Sequence, residues 1–218
     1  MGSAGGKLIT TDNHVRVDHS NRTQPFTLSK RNKKIIRQTW KKISANKIEN
    51  GVLVFFKLFQ IIPDAKQYFT SVEFFNDMKD LIKDPLVRSH GLRFMKAIET
   101  MLEIEFDSNG CIFLFSAIGN RHCSYGIEAD YLDYVPQAFR FMLTKALGNN
   151  YTDKIASVWD EILSHIIKAM QDKVREGTKL KEDKEEVARR ISSAYLTDKK
   201  GEDCKSTTNG SEDSPNVM

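Results

Sequence analysis

The sequence predicts an all-α fold, one helical domain carried between two polar extensions. Three observations point there. Apolar residues recur at helical spacing through nearly the whole middle of the chain. No stretch alternates with period two for long enough to make a strand. Both ends are polar and show no sustained period. The 218 residues are 40% hydrophobic and include 13 Phe, enough for a single well-buried core. The predicted boundaries are a flexible N-terminal extension over 1–27, a helical domain over 28–176, and a polar, largely disordered tail over 177–218. That tail has room for a short helix around Lys181–Leu196 before the disordered Ser206–Met218.

The helices follow in order. Ile35, Ile36, Trp40 and Ile43 share one face of the first. Val52, Phe55, Phe56 and Phe59 make the next stripe, and Pro63 follows as a stop. Asp84-Pro85 starts another helix, because Asp suits the N-cap and Pro the first helical position. From it His90, Phe94, Ala97 and Met101 lie on one face. Cys111, Phe115, Ile118 and His122 do the same on a later helix. Tyr131–Leu147 reads as a helix ending at Gly148, with Pro136 as an irregularity inside it. Thr152 caps the last helix, whose stripe is Ile155, Trp159, Ile162, Ile166 and Met170.

Composition narrows the functional classes. The balance of 33 basic and 29 acidic residues, net +4, gives no case for nucleic-acid binding. No apolar run approaches the roughly 18 residues of a membrane span, and the N-terminus lacks the apolar core of a secretory signal. Cys111, Cys123 and Cys204 have no metal-type spacing and read as reduced thiols of a cytosolic protein. A Cys111–Cys123 bridge stays open from sequence.

The chemically informative feature is the pair His90 and His122, on apolar faces of different helices. A histidine on such a face is commonly a packed residue with a satisfied hydrogen bond. Two of them in Phe- and Ile-rich stripes also suit an apolar slot with axial nitrogen ligands for haem iron. Spacing alone leaves both readings open.

Several ordered segments go further. They are Ile36-Arg37-Gln38-Thr39-Trp40, Phe55-Phe56-Lys57-Leu58-Phe59, Pro63 with Phe69 six residues on, and Asp84-Pro85 leading to His90. Then come Ile118-Gly119-Asn120-Arg121-His122 before Gly126-Ile127, and Tyr151-Thr152 leading to Trp159. Over roughly Leu28–Arg175 this series resembles the globin family, most in pattern its neuroglobin and globin X branch. The resemblance implies a three-over-three helical sandwich around haem b (iron protoporphyrin IX). It makes His122 the proximal iron ligand, His90 the distal histidine, and Phe69 the ring stacked on the macrocycle. Phe55 and Phe94 would line the distal side, and Ile118, Ile127, Leu132 and Val135 the proximal side. Arg93 would meet a haem propionate. Phe94 departs from the family pattern, which has a smaller aliphatic residue there, so the distal pocket is expected to be crowded and to lack a tyrosine hydroxyl for bound dioxygen.

The same resemblance implies that His90 itself ligates the resting iron, giving a bis-histidyl, six-coordinate centre suited to redox sensing, electron transfer to a partner, or sensing of O2 or NO. The alternatives are reversible oxygen storage, a haem-dependent enzyme (nitrite reduction, NO scavenging or peroxide turnover), and a haem-free interaction module. The crowded pocket disfavours storage. No general acid but His90 is evident for catalysis, and no flavin-binding domain accompanies the globin segment. A haem-free module would have no chemical need for both histidines and Phe69. Cys123, beside His122, is either an inert small residue or a redox-responsive thiol. His165 reads as a packed or half-exposed side chain, and His14 and His19 suggest no site.

The start, Met1-Gly2-Ser3-Ala4-Gly5-Gly6-Lys7, resembles an N-myristoylation signal on Gly2, with Gly6 where Ser or Thr is usual. One acyl chain anchors only marginally. Lys30, Arg31, Lys33, Lys34, Arg37, Lys41 and Lys42, uninterrupted by acids, offer a second attraction to an anionic leaflet. The alternative for this run is a solvated helix face. The expected location is cytoplasmic, with peripheral contact at the inner face of the plasma membrane.

Overall fold

The computed structural model describes residues 24–69 and 77–203, and every regular element in them is helical. Seven α-helices are described: α1 Lys30–Ile43, α2 Lys47–Ile61, α3 Met78–Leu81, α4 Pro85–Glu103, α5 Ser108–Ser124, α6 Val135–Leu147 and α7 Asp153–Asp203. Short 3-10 turns at Ser44–Asn46, Pro63–Tyr68, Ala129–Tyr134 and Gly148–Asn150 join several of them.

The predicted starts and stops act as expected. Asp84 accepts from the Val87 amide at 2.8 Å with Pro85 at the first helical position, fixing the start of α4. Thr152 accepts from the Ile155 amide at the head of α7. Pro136 is not an interior irregularity. Residues 129–134 form a 3-10 turn, and Pro136 lies in the first turn of α6, where no backbone N–H is needed.

Helix α2 lies along α4 and α6, and α5 lies along α7. The α2–α4 crossing depends on two glycines. A Cβ on Gly51 would sit 2.5 Å from the carbonyl of Gly91, so only hydrogen fits on either backbone. This close approach brings Phe55, one turn along α2, beside His90 on α4.

The main core gathers Ile36, Trp40, Phe139, Trp159 and Ile162. The Trp159 indole N–H donates to the Thr39 hydroxyl at 2.9 Å, and that hydroxyl donates in turn to the Ile35 carbonyl, so the buried polar atoms are paired. A second cluster, with Val52, Phe55, Phe59, Leu81 and Val87, packs between α2, α3 and α4. Among the described residues no buried side-chain polar atom lacks a partner.

At the N-terminal side, Phe26 and Leu28 are buried; Phe26 stacks on His165 at 4.5 Å and its amide donates to Ser108 at 2.7 Å. An apolar ring in a polar stretch carries no period, so the sequence signal was too short to extend the domain to it. At the other side, α7 runs unbroken through residue 176 to Asp203, so the helix expected around Lys181–Leu196 is a continuation of the last domain helix. Ion pairs such as Arg190–Glu186 support the polar part of the helix without burying it. Residues 1–23 and 204–218, with Gly2, His14, His19 and Cys204, lie outside the described residues. Cys111 and Cys123 are both free and buried, which closes the question of a bridge between them.

Of the basic run on α1, half-buried Lys33 and exposed Arg37 both reach the turn between α4 and α5. The Lys33 ammonium donates to the Glu105 carbonyl at 3.0 Å, and the Arg37 guanidinium stands 5.3 Å over the buried Phe106 ring. Glu105 and Phe106 both have positive φ, so these contacts brace a strained turn between α4 and α5. Lys30, Arg31, Lys34, Arg37, Lys41 and Lys42 are exposed. No described helix is long and apolar enough to cross a membrane.

Candidate functional site

Helices α4 and α5 each present one imidazole to a common slot. The ring centroids of His90 and His122 lie 5.9 Å apart, 60° from parallel. A single metal held between two imidazoles at about 2.0–2.1 Å from each nitrogen would set the ring centres roughly 6 Å apart. The observed spacing therefore fits one axial metal ion between them.

The free nitrogen of His122 fits as well. Nδ1–H of His122 donates to the Ile118 carbonyl one turn back, at 2.9 Å, which leaves the Nε2 lone pair for a metal. Burial lowers the pKa of His122, partly opposed by that hydrogen bond and aided by the Arg121 charge. Burial also lowers His90, to about 4, with His122 and Arg93 adding to the effect. Both rings are neutral near pH 7, the form that ligates iron.

Aromatic rings close the distal side. Phe55 meets His90 edge-on at 4.8 Å and Phe69 meets it at 5.6 Å. Phe55 and Phe69 lie 5.8 Å apart, and Phe94 stands 6.3 Å from Phe55. Among the described residues of this set there is no hydroxyl. Phe59, 5.2 Å from Phe69, and Phe139, 6.0 Å from Phe94, back the first row. Neither had been assigned to the site. Phe59 lay in the α2 stripe, and Phe139 is one turn from Val135, so helical spacing alone could have found both.

The proximal candidates divide. Leu132 and Val135 are buried in the main core, with Ile118 half-buried against it. Ile127 lies on the turn after α5, its amide donating to the His122 carbonyl at 3.2 Å. That turn is tied across to the distal side, because the Tyr68 hydroxyl next to Phe69 donates to the Gly126 carbonyl at 3.0 Å.

Arg93 is exposed yet not simply solvated. Its guanidinium donates to the Ser89 hydroxyl at 2.9 Å, and its other terminal nitrogen is 3.4 Å from His90 Nδ1. Arginine can only donate. The contact therefore favours the His90 tautomer with its proton on Nε2, which suits donation to a ligand in the slot. Ligation by His90 needs the opposite tautomer and the withdrawal of Arg93.

Comparison with known proteins settles the family. The globin family model matches residues 52–170, more than half of the chain. The chain is a globin. Among similar globins, cytoglobin-1 of Oryzias latipes is 29% identical over 149 residues, 68% of this chain and 83% of that protein. Neuroglobin of Chaenocephalus aceratus is 24% identical over 143 residues, 66% of this chain and 90% of that protein. These relatives fit the neuroglobin and cytoglobin side of the family. In fold, a hexacoordinated haem protein from an anhydrobiotic tardigrade, solved at pH 4, matches with a TM-score of 0.63 and 20% identity. It covers 69% of this chain and 97% of its own. As a globin the chain has haem as its cofactor and small ligands such as O2 as its partners, and the imidazole pair and aromatic slot fit that group.

Proposed function

We propose that this globin is a redox-active or gas-sensing haem protein, with His122 as the proximal ligand and His90 as a second, displaceable axial ligand. The observation that carries the reading is the pair of neutral imidazoles facing each other at 5.9 Å across a slot walled by phenylalanine. Haem, once bound, would supply the redox-active iron that takes up the gas or the electron. His122 holds one face with a ring orientation locked by Ile118. His90 would hold the other face of the bound haem at rest and leave it for O2 or NO, so apparent gas affinity would be scaled down to the fraction of molecules in which it has withdrawn. Keeping two imidazoles in both oxidation states limits reorganisation during electron exchange with a partner.

Oxygen storage is the second reading. It suits the distal site less well, because Phe55 and Phe94 crowd the slot and give no hydroxyl to a bound gas. Haem-dependent catalysis would rest on His90 and Arg93 as its proton and charge donors. Flash photolysis of the carbon monoxide complex separates the readings. His-limited rebinding with rapid autoxidation in air supports redox or sensing work, and fast single-phase rebinding with a durable oxygenated form supports storage.

A peripheral location at the cytoplasmic face of the plasma membrane belongs to the same proposal. The exposed Lys30, Arg31, Lys34, Lys41 and Lys42 favour an anionic leaflet. Acylation of Gly2 would add the apolar anchor. Mass spectrometry of the protein from its native cell checks it, and an unmodified Gly2 or a retained Met1 removes the acyl anchor.

A further inference from the structure

Helix α7 continues past the end of the matched family segment at 170 and crosses the C-terminal end of α5. The crossing is tight. A Cβ on Gly177 would stand 2.5 Å from the Cys123 sulfur, so a larger residue here would have to turn that thiol aside. One turn on, the Lys181 ammonium donates to the Cys123 carbonyl at 2.8 Å. Cys123 directly follows His122, and its carbonyl is one of the terminal acceptors of α5. The same carbonyl accepts from the Gly126 amide at 3.1 Å, while that of His122 accepts from Ile127. Lys181 is thus bonded into the turn that ends the proximal helix. Glu128, Asp130, Glu182 and Asp183 line the adjoining cleft of about 620 Å³, with Arg175 and Lys179 as its other cations.

We propose that Lys181 is a positioning residue for the proximal ligand: through the Cys123 carbonyl it fixes the end of α5 behind His122 and places a positive charge at that end of the helix. The inference rests on His122 being the proximal ligand. It assigns a role in the haem site to the helical extension, which the globin segment alone does not require. Two consequences follow. A nearby cation favours the reduced iron, which carries less positive charge, so loss of Lys181 leaves the acids of the cleft dominant and lowers the reduction midpoint. Loss of the bond also frees the turn at 123–127.

The test uses the full chain with Lys181→Met and Lys181→Arg. The first readout is the reduction midpoint of the haem-loaded protein, at low and at high salt. The second is amide hydrogen exchange at Gly126 and Ile127 in the haem-free chain. The expected result is a lower midpoint for Lys181→Met, a difference that shrinks with salt, severalfold faster exchange in that variant, and recovery of both in Lys181→Arg. A midpoint equal to the unaltered protein's, or an Arg variant as low as the Met variant, overturns the charge role. Unchanged exchange overturns the positioning role. A His122→Ala variant distinguishes the underlying reading: if its axial spectrum matches that of the unaltered protein, His122 is not the ligand and the failure lies there. The exchange readout is independent of ligation.

Discussion

At the scale of single residues the site is defined by what each imidazole nitrogen already does. His122 spends Nδ1 on the Ile118 carbonyl, and His90 shares Nδ1 with Arg93. Replacing Arg93 with Ala removes the donor that opposes ligation by His90. The expected outcome is a larger six-coordinate fraction and a lower apparent affinity for carbon monoxide, read by equilibrium titration. His90 also makes stability pH-dependent. Its folded pKa is pushed down to about 4, against about 6.5 in the unfolded chain. The unfolded state therefore binds the extra proton first. This part of stability is complete above about pH 6.5 and is lost as pH falls toward 4, amounting to about 3 kcal/mol in the haem-free chain. Urea unfolding of the haem-free chain at about pH 7 and about pH 4.5 measures it, and His90→Leu is expected to show a shallower decline. Both histidines were legible from apolar faces and segment order. The partner of each Nδ1 was not, because hydrogen bonds across one helical turn leave no signature in residue type.

At the scale of elements, helix ends and crossings place these residues. Asp84 caps the helix that carries His90, and Asp84→Ala is expected to cost about 1 kcal/mol in thermal or urea unfolding. Gly51→Ala is more severe. Its Cβ would meet the Gly91 backbone at 2.5 Å, and backbone cannot rotate away as a side chain can. The expected loss is about 1–3 kcal/mol with displacement of α4, seen in the melting temperature and in a weakened low-spin spectrum. The starts at Pro85 and after Thr152 were legible because capping chemistry is local. Gly51 and Gly91 gave no signal, since the contact joins positions 40 residues apart in sequence and a glycine inside a helical stripe looks only like a weak helix former. Pro136 misled for a different reason: whether a proline opens or interrupts a helix depends on the conformation of the turn just before it, here Ala129–Tyr134.

At the scale of the whole molecule, the globin frame was legible in ordered motifs, while its edges were not. Phe26 belongs to the core and α7 outruns it, because burial of one ring and persistence of a charged helix are tertiary outcomes. Side chains over 179–194 are exposed apart from half-buried Glu186. Replacing the exposed Val187 and Ile191 with Ala is therefore expected to move Tm by less than about 2 °C, as read by a thermal melt, whereas the contacts at Gly177 and Lys181 stay intact. The central claim is that one slot holds two axial histidines. Its most direct test is the visible spectrum of the haem-loaded protein, ferric and ferrous, beside His90→Leu. The account predicts sharp low-spin bands in both oxidation states, turning high-spin when His90 is replaced. A high-spin spectrum in the unaltered protein would contradict it.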